Sequence, residues 1–445
     1  MPTLIPYVTI DIILLVAAII YLVRVSAFWH PLSVYLFFHS YSFTWRALQL
    51  INGAVPMYGE NARQDVIRPE EFERALMLAD VCLIAFVVGA IFAKQQFLKN
   101  AQNKITRTRA SVKIISIISA ICIPIGVTML FISKNGVQIS STYAESSYIQ
   151  VLNMWPIGCL LALLFVKGFR YYIILPICLY LATVAVQGYH RFMMILPLLF
   201  MAAIYLQGKG KRWPTMVMIM FGLTVMLIFP RLKPIGKAFE VGNYEAVTVL
   251  VKESLFLVGE EKIRIEEDSE QFLDQYAGAL TMIDEYDKIY WGSTYLAIIT
   301  LPIPHEWWSK KPGLADHMHD ISSGSRQYNI EGRIITYIGE SYLNFRYFGI
   351  LFIPLGLGFA LTYWCYISSE GPWLRINRYV YLVGFMAFIQ LFRDGLLSLV
   401  LFSMVHNLPV FFIWGAHGVA GRRLLIDDMP TSGPQSAQNL MGNVR

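Results

Sequence analysis

The chain has 445 residues, 56% hydrophobic, 14% aromatic and 15% charged, with a formal net charge of +6. Soluble domains carry roughly a quarter charged residues, so this composition argues against a soluble globular protein. The small positive charge is accounted for by membrane topology, and no basic stripe interleaved with exposed aromatics points to nucleic acid.

The apolar windows do not alternate, which argues against a β-barrel. Instead they repeat as uncharged runs long enough to cross a bilayer, the pattern of an all-α polytopic membrane protein. The five cysteines, Cys82, Cys122, Cys159, Cys178 and Cys365, lie in apolar runs with no CxxC pair, so neither a disulfide framework nor a zinc site is implied.

In chain order, a window of about 19 residues gives about eleven transmembrane helices, at roughly 4–23, 31–51, 75–94, 112–133, 149–167, 170–188, 190–207, 213–230, 346–368, 377–393 and 395–420. The N-terminus has no basic stretch or cleavage site before its apolar run, which therefore reads as a retained helix. The second helix is the weakest, because His39, Ser40, Ser42, Thr44, Arg46 and Gln49 interrupt it. Lys94, Lys99, Lys104, Arg107, Arg109 and Lys113 place the loop after the third helix in the cytoplasm. Alternation then puts Lys167 and Arg170, Lys209 to Arg212, Arg375 and Arg378, and Arg422 and Arg423 inside as well.

Four regions follow: a bundle of about eight helices over 1–230, a large outer loop over 231–345, further membrane helices over 346–421, and a cytoplasmic tail over 422–445. The tail is polar and rich in turn formers, so it reads as disordered. The outer loop is acidic around Glu260 to Asp274. Up to about Tyr290 its apolar spacing predicts amphipathic helices lying on the outer surface.

Charges inside a span are costly and face a cavity or a partner. Here they gather at one depth. Arg46 lies in the outer half of the second helix, His190 and Arg191 open the seventh, Arg231 closes the eighth and Arg393 closes the tenth. Arg326, Arg333 and Arg346 come from the loop. Arginine forks suit phosphate oxygens, so the group reads as a site for a phosphate or pyrophosphate. Each member has a plainer role. Arg191 and Arg393 could snorkel to helix ends, Arg393 could pair with Asp394, Arg46 with a loop carboxylate, and Arg231 could anchor the boundary.

The stretch Leu301 to Gly349 holds the remaining chemistry. His305, in PIPHEWW, and His317 are candidate bases near neutral pH. The run ADHMHD, with His317 and His319 between Asp316 and Asp320, could hold a divalent metal, but a solvated polar turn is the preferred reading. In GESYLNFRYFG, Glu340 and Asn344 share a helical face and could orient a sugar hydroxyl, with Tyr342 beside them. Helix-entry capping is the plainer role for this group.

These features, with LPIPHEWWSKKPG, QGYHRF and LFRDGLLS, resemble the Wzy-type oligosaccharide repeat-unit (O-antigen) polymerases, and the resemblance covers most of the chain as an architecture. It implies a GT-C-like fold in the bacterial inner membrane, with the active site on the periplasmic side. It implies transfer of a growing glycan from undecaprenyl pyrophosphate onto the terminal sugar of a new lipid-linked repeat unit, with no metal, nucleotide sugar or other cofactor. Its essential outer arginines map to Arg191 and Arg393, with Arg46 and Arg231 as weaker members. The acceptor base falls to His305, His317 or Glu340. His190, Arg326, Arg333, Tyr342 and Asn344 would contact substrate. The partners implied are lipid-linked oligosaccharides and membrane lipid, and the family allows a chain-length regulator protein. The rival readings are an O-antigen ligase, another lipid-linked-sugar glycosyltransferase, or a lipid or oligosaccharide transporter. A transporter would carry its polar load at the midplane.

Overall fold

A computed structural model describes residues 1–54, 68–100, 111–134, 154–186, 192–222, 272–300, 335–369, 376–400 and 407–421, with a few isolated positions between. All regular elements among them are helical. In order they are α1 (Ile5–Val25), α2 (Pro31–His39), a π-helical turn (Ser40–Thr44), α3 (Trp45–Ile51), α4 (Pro69–Asn100), α5 (Val112–Lys134), α6 (Trp155–Lys167) and α7 (Tyr171–Val186). Then come α8 (Phe192–Gly208), α9 (Phe272–Tyr286), α10 (Ser293–Thr300), α11 (Thr336–Ser369), α12 (Ile376–Asp394), α13 (Leu396–Val400) and α14 (Leu408–Gly421).

The protein is a helical membrane protein. Among the described residues, Pro2–Val25, Pro69–Lys99, Val112–Met129 and Thr336–Ser369 are long and apolar enough to cross a bilayer, and Trp155–Lys167, Tyr171–Val184, Ile195–Gly208 and Leu408–His417 are shorter apolar helices. The weak second span is a nearly continuous helix. Its polar run Ser40–Thr44 winds as a π turn between α2 and α3.

The helices pack as two units. One comprises Met1–Asn103, Arg264–Ile367 and Ala387–Phe402, the other Lys104–Ile263, Ser368–Met386 and Ser403–Arg445. In the first, α1 is apolar all round, yet only Val8, Asp11, Leu15, Ala18 and Leu22 are buried. That heptad-like stripe faces protein, while Ile13, Val16, Ile20 and Val23 stay exposed, as lipid-facing residues do. α4 is the central helix, with 61% of its apolar window buried. It meets α11 at very short range, because a Cβ on Gly89 would strike the Leu355 carbonyl and one on Gly358 the Phe86 carbonyl. Without lipid-side hydrophobic drive, such small-residue crossings let backbones approach and hold spans together.

α11 is broken where sequence hydropathy begins its span. Arg346 has φ 54°, ψ −136° inside the helix. Gly349 permits the break, since a Cβ there would run into the Ser341 carbonyl. α9 has the amphipathic spacing read for the outer loop, and ten of its fifteen residues are buried against the protein. It packs against α4 and the π turn. Burial of Asp274 is tolerated because it finds a guanidinium partner in Arg46.

In the second unit α5 and α6 touch closely at Gly126 and Pro156. The Tyr379 hydroxyl donates to the Gly158 carbonyl at 3.1 Å. His417 Nε2 accepts from the Ser111 amide at 2.6 Å, and its Nδ1 faces the Ile413 carbonyl at 2.6 Å, an arrangement that selects the neutral Nδ1–H tautomer.

Candidate functional site

α9 carries a buried acid, Asp274, at its start and a partly exposed one, Asp284, at its end, and the first unit supplies arginines to both. At its start, Arg46 Nε and Nη2 donate to the two oxygens of Asp274 at 2.9 and 2.7 Å. Nη1 donates to Gln49 Oε1 at 3.3 Å. Asp274 is fully buried and Arg46 is 8% exposed. The fork is the strongest form of such a pair, and a carboxylate in the first turn also suits the helix dipole.

At the end of α9, Asp284 accepts from Arg74 Nη1, from Arg346 Nη1 at 3.0 Å and from the Tyr342 hydroxyl at 2.7 Å. Arg74 Nη2 also donates to the hydroxyls of Tyr342 and Tyr347. Arg346 Nη2 lies 3.7 Å from Asp287 Oδ1 and has no hydrogen-bond acceptor among the described residues. The Tyr342 ring takes a guanidinium on each count, Arg74 at 5.6 Å and Arg346 at 5.4 Å from its centroid. Both are cation–π distances. Two cations thus share one close carboxylate at a partly open edge, where Arg74 and Asp284 side chains are 32% and 35% exposed. The second carboxylate, Asp287, is almost fully exposed and more distant, so Arg346 keeps a spare guanidinium donor, which is what an anionic oxygen needs. Arg346 reaches it through a left-handed backbone that a non-glycine residue adopts at a cost of about 1–3 kcal/mol. The two ends of α9 are ten residues apart, roughly 15 Å along the helix, so the arginines form two sites rather than one.

A third cluster joins two stretches singled out by sequence, GESYLNFRYFG and LFRDG. Glu340 is 1% exposed. Its Oε1 accepts from the Thr294 hydroxyl at 2.9 Å and its Oε2 from the Leu396 amide at 3.1 Å. Gly395, at φ 92°, makes room, because a Cβ there would overlap Glu340 Oε2. Asn344 Nδ2 donates to Thr294 Oγ1 at 2.6 Å and to the Glu340 carbonyl at 2.8 Å. Thr294 therefore donates to one partner and accepts from the other. Tyr295 lies 3.4 Å from Ser341 Oγ. Burial, and after it the Glu340 carboxylate, push its phenol well above the usual range.

Of the residues named from sequence, Tyr342 and Arg346 enter the Asp284 cluster, and Glu340 and Asn344 share one face as expected, locked against α10 and α13. Both Glu340 oxygens are engaged, as in a structural cap. Arg46 is held by Asp274, the loop-carboxylate role weighed for it. Arg393 Nε lies 3.3 Å from Asp394 Oδ1, the local pair weighed for it. His190, Arg191, Arg231, His305, His317, Arg326 and Arg333 lie outside the described residues, as do the ADHMHD run and the 422–445 tail. Sequence reasoning missed Arg74 and Asp284. Arg74 was hidden in the mixed-charge first turns of α4, and Asp284 in an acidic loop with nothing to mark it. No protein-family model matches the chain, and searches of curated proteins and of solved structures found no match either.

Proposed function

We propose that the protein is a glycosyltransferase of the Wzy polymerase kind. It has about eleven spans in a GT-C-like arrangement in the bacterial inner membrane, and works at the periplasmic face. It moves a growing glycan from undecaprenyl pyrophosphate onto the non-reducing-end sugar of a new lipid-linked repeat unit. The observation that carries this reading is the pair Arg74 and Arg346 sharing Asp284 around the Tyr342 ring. A leaving pyrophosphate gathers charge as the glycosidic bond breaks, and preorganised guanidiniums stabilise that charge in the transition state. Tyr347, 58% exposed at the edge of the cluster, offers its ring to a sugar.

In this reading Arg46 docks α9 rather than binding phosphate, and Glu340 with Asn344 holds the LFRDG turn. The acceptor base then falls to His305 or His317. Arg191, Arg393 and Arg231 complete the donor side, and His190, Arg326 and Arg333 contact the oligosaccharide.

The test is chain extension by the purified protein in liposomes, supplied with synthetic polyprenyl-pyrophosphate-linked repeat units and no nucleotide sugar. A ladder of products is expected. Arg346→Lys and Arg74→Gln should each lower its rate by about 100-fold, the usual effect of losing one charge-stabilising donor. A folded protein that yields no ladder overturns the polymerase reading. Transfer to a glycolipid acceptor without a ladder would assign the ligase on the same site.

A further inference from the structure

Three ionisable side chains meet inside the first unit, away from the clusters above. Asp11 occupies the buried stripe of α1, His39 ends α2, and Asp80 lies on α4. Asp11 and His39 are fully buried and Asp80 is 6% exposed. His39 Nε2 lies 2.8 Å from Asp11 Oδ1 and 3.6 Å from Asp80 Oδ1. One potential ligand atom from each residue lies within 4.8 Å of the other two.

An ion pair alone leaves much unexplained. Asp11 Oδ2, Ser42 Oγ, Thr44 Oγ1 and Tyr35 Oη are buried with no hydrogen-bond partner among the described residues. Each such orphan costs roughly 1–3 kcal/mol, and native interiors hold few of them. Thr44 Oγ1 lies near enough to the Asp11 carboxyl to stabilise its charge. Ser42 and Thr44 belong to the π turn that follows His39, and π turns inside helices recur at functional sites.

We propose that Asp11, His39 and Asp80 form a binding site for a divalent first-row transition ion, Zn2+ or Mn2+, with a hydroxyl of the π turn as a further oxygen. The spacing fits. An ion with bonds of about 2.1 Å in tetrahedral geometry sets its ligands about 3.4 Å apart, between the two His39 distances. The charge fits too, since a divalent cation neutralises two carboxylates beside a neutral imidazole, where uncompensated charge in a membrane interior is costly. One imidazole among the donors favours such an ion over Mg2+ or Ca2+, which take oxygen ligands. The ion would tie α1, α2 and α4 together. This inference stands apart from the glycosyl-transfer reading, because none of these residues touches the Asp284 cluster or the Glu340 lock.

The experiment uses the full chain, purified in detergent from cells grown with added ZnCl2 or MnCl2, with metal content read by mass spectrometry and thermal unfolding followed with and without a chelator. Stoichiometric Zn2+ or Mn2+ is expected, with an unfolding midpoint several degrees higher than after chelation, and no such effect from MgCl2. Asp80→Asn should lose the metal and the shift. The double variant His317→Ala/His319→Ala should keep both, which separates this site from the ADHMHD run. Substoichiometric metal in the folded wild-type chain, or metal lost with the loop histidines, overturns the proposal. In the first case two protons would be left to balance the cluster.

Discussion

Arg346 shows how one residue can carry two opposed demands. Its left-handed backbone, φ 54°, breaks α11 and turns the guanidinium toward Asp284. Glycine would adopt that backbone without strain, and alanine would not. Arg346→Gly should therefore be more stable than Arg346→Ala, by about 1 kcal/mol, while both lose transfer activity alike. Thermal unfolding beside the extension assay checks this. Equal stability of the two variants would mean the backbone stores no strain. The Arg46–Asp274 fork makes a contrasting case. Asp274→Ala leaves a buried guanidinium without its forked partner, which costs roughly 3–5 kcal/mol. The apolar pair Arg46→Met with Asp274→Leu should regain much of that loss, and denaturation in mixed micelles measures the difference.

At the scale of elements, α9 is the loop helix on which the first unit is built. It is clasped at Asp274 by α3 and at Asp284 by α4 and α11. The second clasp is half-exposed, and such pairs contribute little to overall stability. Arg74→Ala should therefore leave the unfolding midpoint nearly unchanged, yet raise amide hydrogen exchange over 280–286, because local opening follows the weakest contacts. Unchanged exchange there would show that apolar packing alone seats the end of the helix. The α13 turn depends in the same way on Glu340 and on the bare Cα of Gly395. Gly395→Ala adds both a steric clash with the carboxylate and a penalty at φ 92°.

At the scale of the whole molecule, the orientation read from Lys and Arg can be checked in cells. Asp287 is 96% exposed beside the Asp284 cluster. Asp287→Cys should react with a membrane-impermeant maleimide in intact spheroplasts. Lys209→Cys, in the turn after α8, should react only after permeabilisation. The reverse pattern would invert the topology and move the arginine pair to the cytoplasm, where the lipid-linked donor of the proposed reaction is not presented.

The sequence by itself determined the class of the protein and, among the described residues, the approximate place of its long apolar helices. Apolar length and the absence of charge are local properties, and a bilayer reads them one segment at a time. It also marked Glu340, Tyr342, Asn344 and Arg346 as a group worth attention, because polar residues crowded at a span's edge stand out locally. Only the tertiary structure decided which charges meet. Arg74 with Asp284, Arg46 with Asp274, and Asp11 with His39 and Asp80 come from segments far apart in the chain. A carboxylate's partner is set by which helix faces pack together, and hydropathy carries no information about that. Asp11 was nevertheless within reach of a closer reading, as a lone acid in the otherwise uncharged stretch of α1 before Arg24. Burial of α9 was not, since its spacing is that of any amphipathic helix, and the guanidinium that lets Asp274 sink lies elsewhere in the chain.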